Sequence, residues 1–187
     1  MKTNWKILAA IGLATGSISV QAAGTLTGTV NSTLVLTTGC AINSGTGASN
    51  NNTNFGKLDF GTQPAGFTGT LTAALTGSGT SGGPQITCST DVSTLQVTVD
   101  GGLNSGKGTG IGAGTRALAN GTNYVPYEVY ADSAATKQYV AGTAQPVAIS
   151  TPGSAFALPI YGLINKTSAA ALTAGTYTDT LNVTLAW

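Results

Sequence analysis

Six carboxylates, two cysteines and no histidine are the chemically active groups of this 187-residue chain. Asp59, Asp91, Asp100, Glu128, Asp132 and Asp179 stand singly along it. Without an imidazole there is no Ser–His or Cys–His pair and no histidine metal ligand. A glycosidase needs two carboxylates facing one bond, and nothing in the spacing selects a pair. Asp132 and Asp179 read more simply as turn and strand-end residues. A calcium loop would be densely acidic, and no such loop occurs. Residues 100–114 offer a Gly-x-Gly pattern and Lys107, but Gly108 follows where a phosphate loop requires Ser or Thr, and no helical pattern comes after. That segment reads as a long flexible loop between strands. The sequence therefore supports no catalytic residue, no cofactor site and no metal site.

The two cysteines, Cys40 and Cys88, have only each other to pair with. Residues 1–22 carry a secretory signal: Lys2 and Lys6, an apolar run over 7–14, and Val20-Gln21-Ala22 as the cleavage site. The apolar run is too short for a membrane anchor, and no later segment approaches spanning length. Export places both cysteines in an oxidising compartment, which favours a disulfide. What remains is long enough for one domain with a real core. Charged residues are only 7% of the chain and the formal net charge is +1, where about a quarter charged is usual for a soluble protein. Nothing in this balance draws nucleic acid or an anionic membrane. A surface of Gly, Thr, Ser and Asn suits an inert extracellular structure.

The elements that would hold such a surface together are strands. Behind the signal, residues 24–39 alternate: Leu26, Gly28, Val30, Ser32, Leu34 and Leu36 on one face, mostly threonine on the other. A lone amphipathic strand cannot bury its apolar face, and its first half, residues 25–31, reads as meant for another molecule. Residues 34–36 lead into a strand closing on Cys40, and residues 41–54 read as loop. Further strands are predicted near 55–61, 70–75, 86–88, 95–99, 124–130, 156–161 and 177–187. In 95–99 the inward positions are Leu95, Val97 and Val99; in 177–187 they are Leu181, Val183, Leu185 and Trp187. Pro126 implies an edge or a bulge. No segment has helical periodicity, and many short strands joined by Gly/Asn/Ser loops predict an all-β sandwich.

Three groups of residues carry a resemblance: the strand at Thr38-Gly39-Cys40, Pro159-Ile-Tyr161-Gly162, and the terminal stretch containing Gly175-Thr-Tyr177-Thr-Asp179 and ending at Trp187. Together with the aromatic segment 124–130 followed by Ala131-Asp132, they resemble the spore coat protein U domain family, the pilin subunits of archaic chaperone–usher pili. The resemblance implies an incomplete immunoglobulin-like sandwich lacking its last strand, with an open groove beside the C-terminal strand. It implies as partners a periplasmic chaperone, an outer-membrane usher and neighbouring pilin subunits, with the fibre on the cell surface serving adhesion and biofilm formation. In that scheme residues 23–33 are the donor extension and 34–187 the pilin domain. Leu26, Gly28, Val30 and Ser32 would enter a neighbour's groove, and Leu181, Val183, Leu185 and Trp187 would form the receiving wall. An alternative from the residues is a carbohydrate-binding module using Tyr124, Tyr127 and Tyr130; a secreted hydrolase with an unrecognised carboxylate pair is a third.

Overall fold

The computed structural model describes residues 25–43, 54–77 and 83–187; the proposed signal peptide and most of the loop expected over 41–54 lie outside them. Every element among the described residues is a strand. In chain order they are β1 (Cys40–Asn43), β2 (Lys57–Leu58), β3 (Gly69–Thr76), β4 (Gln85–Cys88), β5 (Thr94–Val99), β6 (Gly112–Ala113), β7 (Arg116–Asn120), β8 (Asn123–Tyr130), β9 (Gln145–Ala148), β10 (Ala155–Ala157), β11 (Tyr161–Lys166) and β12 (Val183–Ala186). Three antiparallel sheets result: β1-β4-β10, β12-β5-β9, and a larger one ordered β2-β3-β11-β8-β7 with β6 also on β11. The core forms where β4 and β5 meet β8 and β11. Leu95, Val97 and Val99 are fully buried, as period-two alternation requires of a half-buried strand, and they pack with Ile86, Val129 and Ile164.

Several expectations need correction. The strand expected to close on Cys40 instead begins there, with Cys40 opposite Cys88 and Asn43 opposite Gln85. Residues 25–39 form no strand, because extended backbone without a partner edge has no ladder to join. The strand expected over 156–161 is two. β10 pairs with β4, the chain crosses the sandwich through buried Leu158 and Ile160, and β11 starts in the other sheet. Pro159, which cannot donate to a ladder, sits at the crossing. The run 177–187 is likewise divided: Thr178 bridges Ala119 of β7, whereas β12 pairs with β5. Pro126 is buried beside β7, and the ladder from β8 to β11 stops at Glu128, two residues short of it.

The glycine-rich segment is not a free loop. Gly106 N–H donates to the Thr115 carbonyl, and the Ile111 carbonyl accepts from the N–H groups of Thr167 and Ser168. It lies against the large sheet at contact distance: a Cβ on Gly112 would stand 2.1 Å from the Asn165 carbonyl oxygen, and one on Gly114 would stand 2.5 Å from Tyr127 N. Those glycines are there for close approach. The strands β7 and β9 lay unremarked in the sequence. β7 (RALAN) has no clean alternation, and β9 (QPVA) is a four-residue edge strand carrying Pro146.

Candidate functional site

The sandwich is open along one side. β12 has β5 as its one hydrogen-bonded neighbour and β1 has only β4, so each keeps an unpaired edge. Side chains from both strands line a single groove of about 1470 Å³. One wall carries Leu181, Val183 and Leu185, half-buried at every second position, and ends at Trp187, 56% exposed. The other carries Cys40 and Ile42. Leu71 and Leu75 of β3, Leu118 of β7, Val125 of β8 and Ile164 of β11 form the floor. The four residues expected in the receiving wall therefore share one face of one groove. The floor and the alternate wall positions Leu181, Val183 and Leu185 are apolar, which suits an extended backbone with alternating apolar side chains.

Cys40 and Cys88 are joined by a disulfide, fastening the β1 wall to β4. Beyond it, Gly39 N–H donates to Ser89 Oγ at 3.1 Å, Ser89 N–H donates to the Gly39 carbonyl at 2.8 Å, and Thr38 Oγ1–H donates to Asp91 Oδ2. Hydrogen bonds from the Ser89 and Thr38 hydroxyls hold the Asp91 carboxyl below its usual range.

The motif residues shape the groove rather than perform chemistry. Gly162 leaves room for Phe60: an added Cβ would meet Phe60 Cζ at 2.6 Å. The Phe60 ring thereby packs edge-on against Tyr127, centroids 6.0 Å apart. Tyr161 lies in register with Tyr130 on one side and Ala74 on the other. Gly175 has φ +144°, and a Cβ there would meet Asn120 Nδ2 at 2.4 Å. Tyr177 closes the same turn by donating its hydroxyl to the Thr173 carbonyl at 2.9 Å. Asp179 accepts from Tyr127 Oη at 2.9 Å, Leu103 N at 2.9 Å and Asn104 Nδ2 at 3.3 Å. Burial and the facing Asp179 carboxylate push the Tyr127 hydroxyl far above the usual phenol range.

Two buried cations were missed in the sequence. Arg116 is fully buried; its Nε donates to the Asp100 carbonyl, its Nη2 to the Val99 and Tyr139 carbonyls, and its Nη1 to Glu128 Oε2 at 3.3 Å. Lys166 is also fully buried, its Nζ donating to the carbonyls of Phe67, Ser168 and Ala170 and lying 5.2 Å from the Phe67 ring centroid. Inward positions of β7 and β11 dictate these burials, and single charges in short polar strands gave no signal of them.

All six carboxylates are engaged in such structural bonds. Asp59 pairs with exposed Lys57, Asp132 caps its own turn at Thr136 and Lys137, and Glu128 holds Thr115 as well as Arg116. Among the described residues no three of His, Cys, Asp and Glu gather as metal ligands would. The tyrosine platform does not assemble: Tyr127 is 2% exposed and points into the core, opposite to Tyr124 and Tyr130 on the same strand.

A model of the Spore Coat Protein U domain matches residues 26–184 of the chain. Among solved structures, the chain is similar to one in the chaperone–tip adhesion subunit pre-assembly complex CsuC–CsuE of archaic chaperone–usher Csu pili from Acinetobacter baumannii. The identity is 18% and the TM-score 0.45, over 81% of this chain and 40% of that one. The chain thus spans well under half the length of the solved chain it matches. No curated protein matches it.

Proposed function

Because the chain belongs to the Spore Coat Protein U domain family, we propose that it is a structural pilin that polymerises by donating its N-terminal extension to the next subunit's groove. The observation that carries this reading is the open groove between the unpaired edges of β1 and β12. A second observation supplies the occupant: the same chain presents an alternating segment whose Leu26 and Val30 are almost wholly exposed. Adding a strand to an exposed sheet edge is an established mode of peptide recognition, with main-chain bonds giving affinity and alternate side chains giving specificity. Each Leu or Val fully buried contributes roughly 1.5–3 kcal/mol, and each ladder hydrogen bond about 1 kcal/mol. Those sums rival the roughly 5–15 kcal/mol that separates a folded domain from its unfolded chain.

On this reading residues 1–22 direct export. A periplasmic chaperone covers the groove until an outer-membrane usher exchanges it for a neighbouring subunit's extension, and the fibre stands on the cell surface. Its role is mechanical and adhesive, not catalytic. The test is an SDS gel of periplasm-exported protein, with and without boiling, comparing the full chain with one lacking residues 23–31. Heat-sensitive ladders in the full chain that vanish on truncation are the expected result. A monodisperse, stable monomer from both chains would overturn the reading.

A further inference from the structure

We infer that the inserted segment runs through Leu36, so that Leu34 and Leu36 occupy the groove of a second copy of this chain along with Leu26 and Val30. The inference rests on the donor-strand reading and deepens it. Three observations lead there. The first is length. The wall residues from 177 to 187 all line the groove apart from Ala186, and burial alternates over 177–185. Although its ends pair with different strands, Thr178 with Ala119 and β12 with β5, those eleven residues span at most about 36 Å when fully extended. Residues 25–31 would cover about 23 Å, leaving roughly a third of the wall bare. Residues 26–36 are also eleven, with six alternate positions to match the wall's six.

The second observation is exposure. Leu34 and Leu36 are 81% and 83% exposed, and a donor ending near residue 33 would leave both beside the occupied groove with nothing to cover them. Both continue the even-numbered apolar face that Leu26 begins, whereas the odd face is threonine and asparagine except for Val35.

The third is the anchor. The chain is already fastened to its own body at Thr38 and Gly39 through Asp91 and Ser89, immediately before the disulfide. If insertion continues through Leu36, Thr37 is the one residue left between two successive folded bodies. The joint between copies is then a tight coupling rather than a six-residue tether.

Hydrogen–deuterium exchange with peptic digestion tests this on assembled full-length protein, without any substitution that could prevent folding. The amides of residues 25–36 are compared with those of a polymer stripped to monomer. Slowed exchange, at least tenfold, continuing through residues 33–36 is the expected result. Slowing that stops at Asn31 would overturn this inference and leave donor-strand exchange standing. No slowing anywhere in 25–36 would overturn both. As a second readout, Leu36→Asp should lower the temperature at which SDS-resistant multimers dissociate, whereas Thr33→Asp, on the opposite face, should not; equal behaviour of the two variants would count against the extended register.

Discussion

A methyl group at Gly162 has nowhere to go, since Phe60 Cζ and Leu58 Cδ1 would stand 2.6 and 3.2 Å from it. Gly162→Ala is expected to cost about 1–3 kcal/mol, the range for overpacking a filled core. Trimming Phe60 to Ala in that background should return part of it, a coupling that a denaturant-based double-mutant cycle measures directly. Asp179 offers a complementary case. Asp179→Ala would strand the Tyr127 hydroxyl and two amide donors, with an expected loss of about 2–3 kcal/mol. Asp179→Asn, which keeps one carbonyl acceptor, should lose less in the same denaturation experiment. The sequence showed these residues only as members of a family motif. Asp179 read as a strand-end residue because its partner Tyr127 lies 52 positions away, and no local pattern encodes that distance. Lys166 and Arg116 were hidden for a similar reason: the carbonyls that solvate them come from the end of β5 and from loop segments whose placement depends on the finished fold.

At the scale of elements, legibility followed periodicity. β5 and β8 could be read because branched and aromatic residues recur along a pleated strand. The sheet switch at Pro159 and the division of 177–187 were invisible, because the same extended residues serve either sheet and only tertiary packing decides between them. The staple between β1 and β4 encloses nearly fifty residues, and in the chain-entropy description it contributes about 4 kcal/mol. Urea unfolding with and without reductant should show a loss of that order. The junction of β5 with the segment before β12 is sensitive to acid. Partial burial alone would raise the Asp100 carboxyl, but hydrogen bonds from Asn182 and Gly102, with Arg116 nearby, outweigh it and leave the group below the ordinary carboxylate range. A carboxyl depressed by folding stabilises the fold at neutral pH, and the contribution fades as pH falls from about 4 through the lower folded value. Asn182→Ala should therefore move the acid-unfolding midpoint upward, measured by circular dichroism over pH 2–5.

Residues 36–187 form a sandwich with an open groove, and its stability should depend on what fills that groove. A synthetic peptide of residues 25–37 added to monomeric protein should raise the melting temperature with peptide concentration, as linkage requires of a ligand that binds only the folded state. Once residues 1–22 are removed, Trp187 is the one tryptophan, and it stands at the end of the groove wall. Its emission should shift to the blue as the peptide covers it; an unchanged spectrum at a saturating dose would speak against filling at that end. In the sequence the groove was an expectation carried by the family resemblance alone, because an absent strand leaves no residues to read.

Burial of Arg116 and Lys166 also bears on where a protease can cut the chain. Beyond Lys6 the chain has five basic residues, and these two are fully enclosed. A trypsin-like protease therefore meets only Lys57, Lys107 and Lys137, each with its backbone already engaged: Lys57 in the β2–β3 ladder, Lys107 N–H on the Asn104 carbonyl, Lys137 N–H on Asp132. Residues 7–56 contain no such site at all, so trypsin cannot separate residues 25–36 from β1. Cleavage after Arg116 or Lys166 is thus the expected signature of a subunit that has come apart, whereas cleavage at the three exposed lysines is not; limited trypsin digestion with mass spectrometry of the fragments reads the difference.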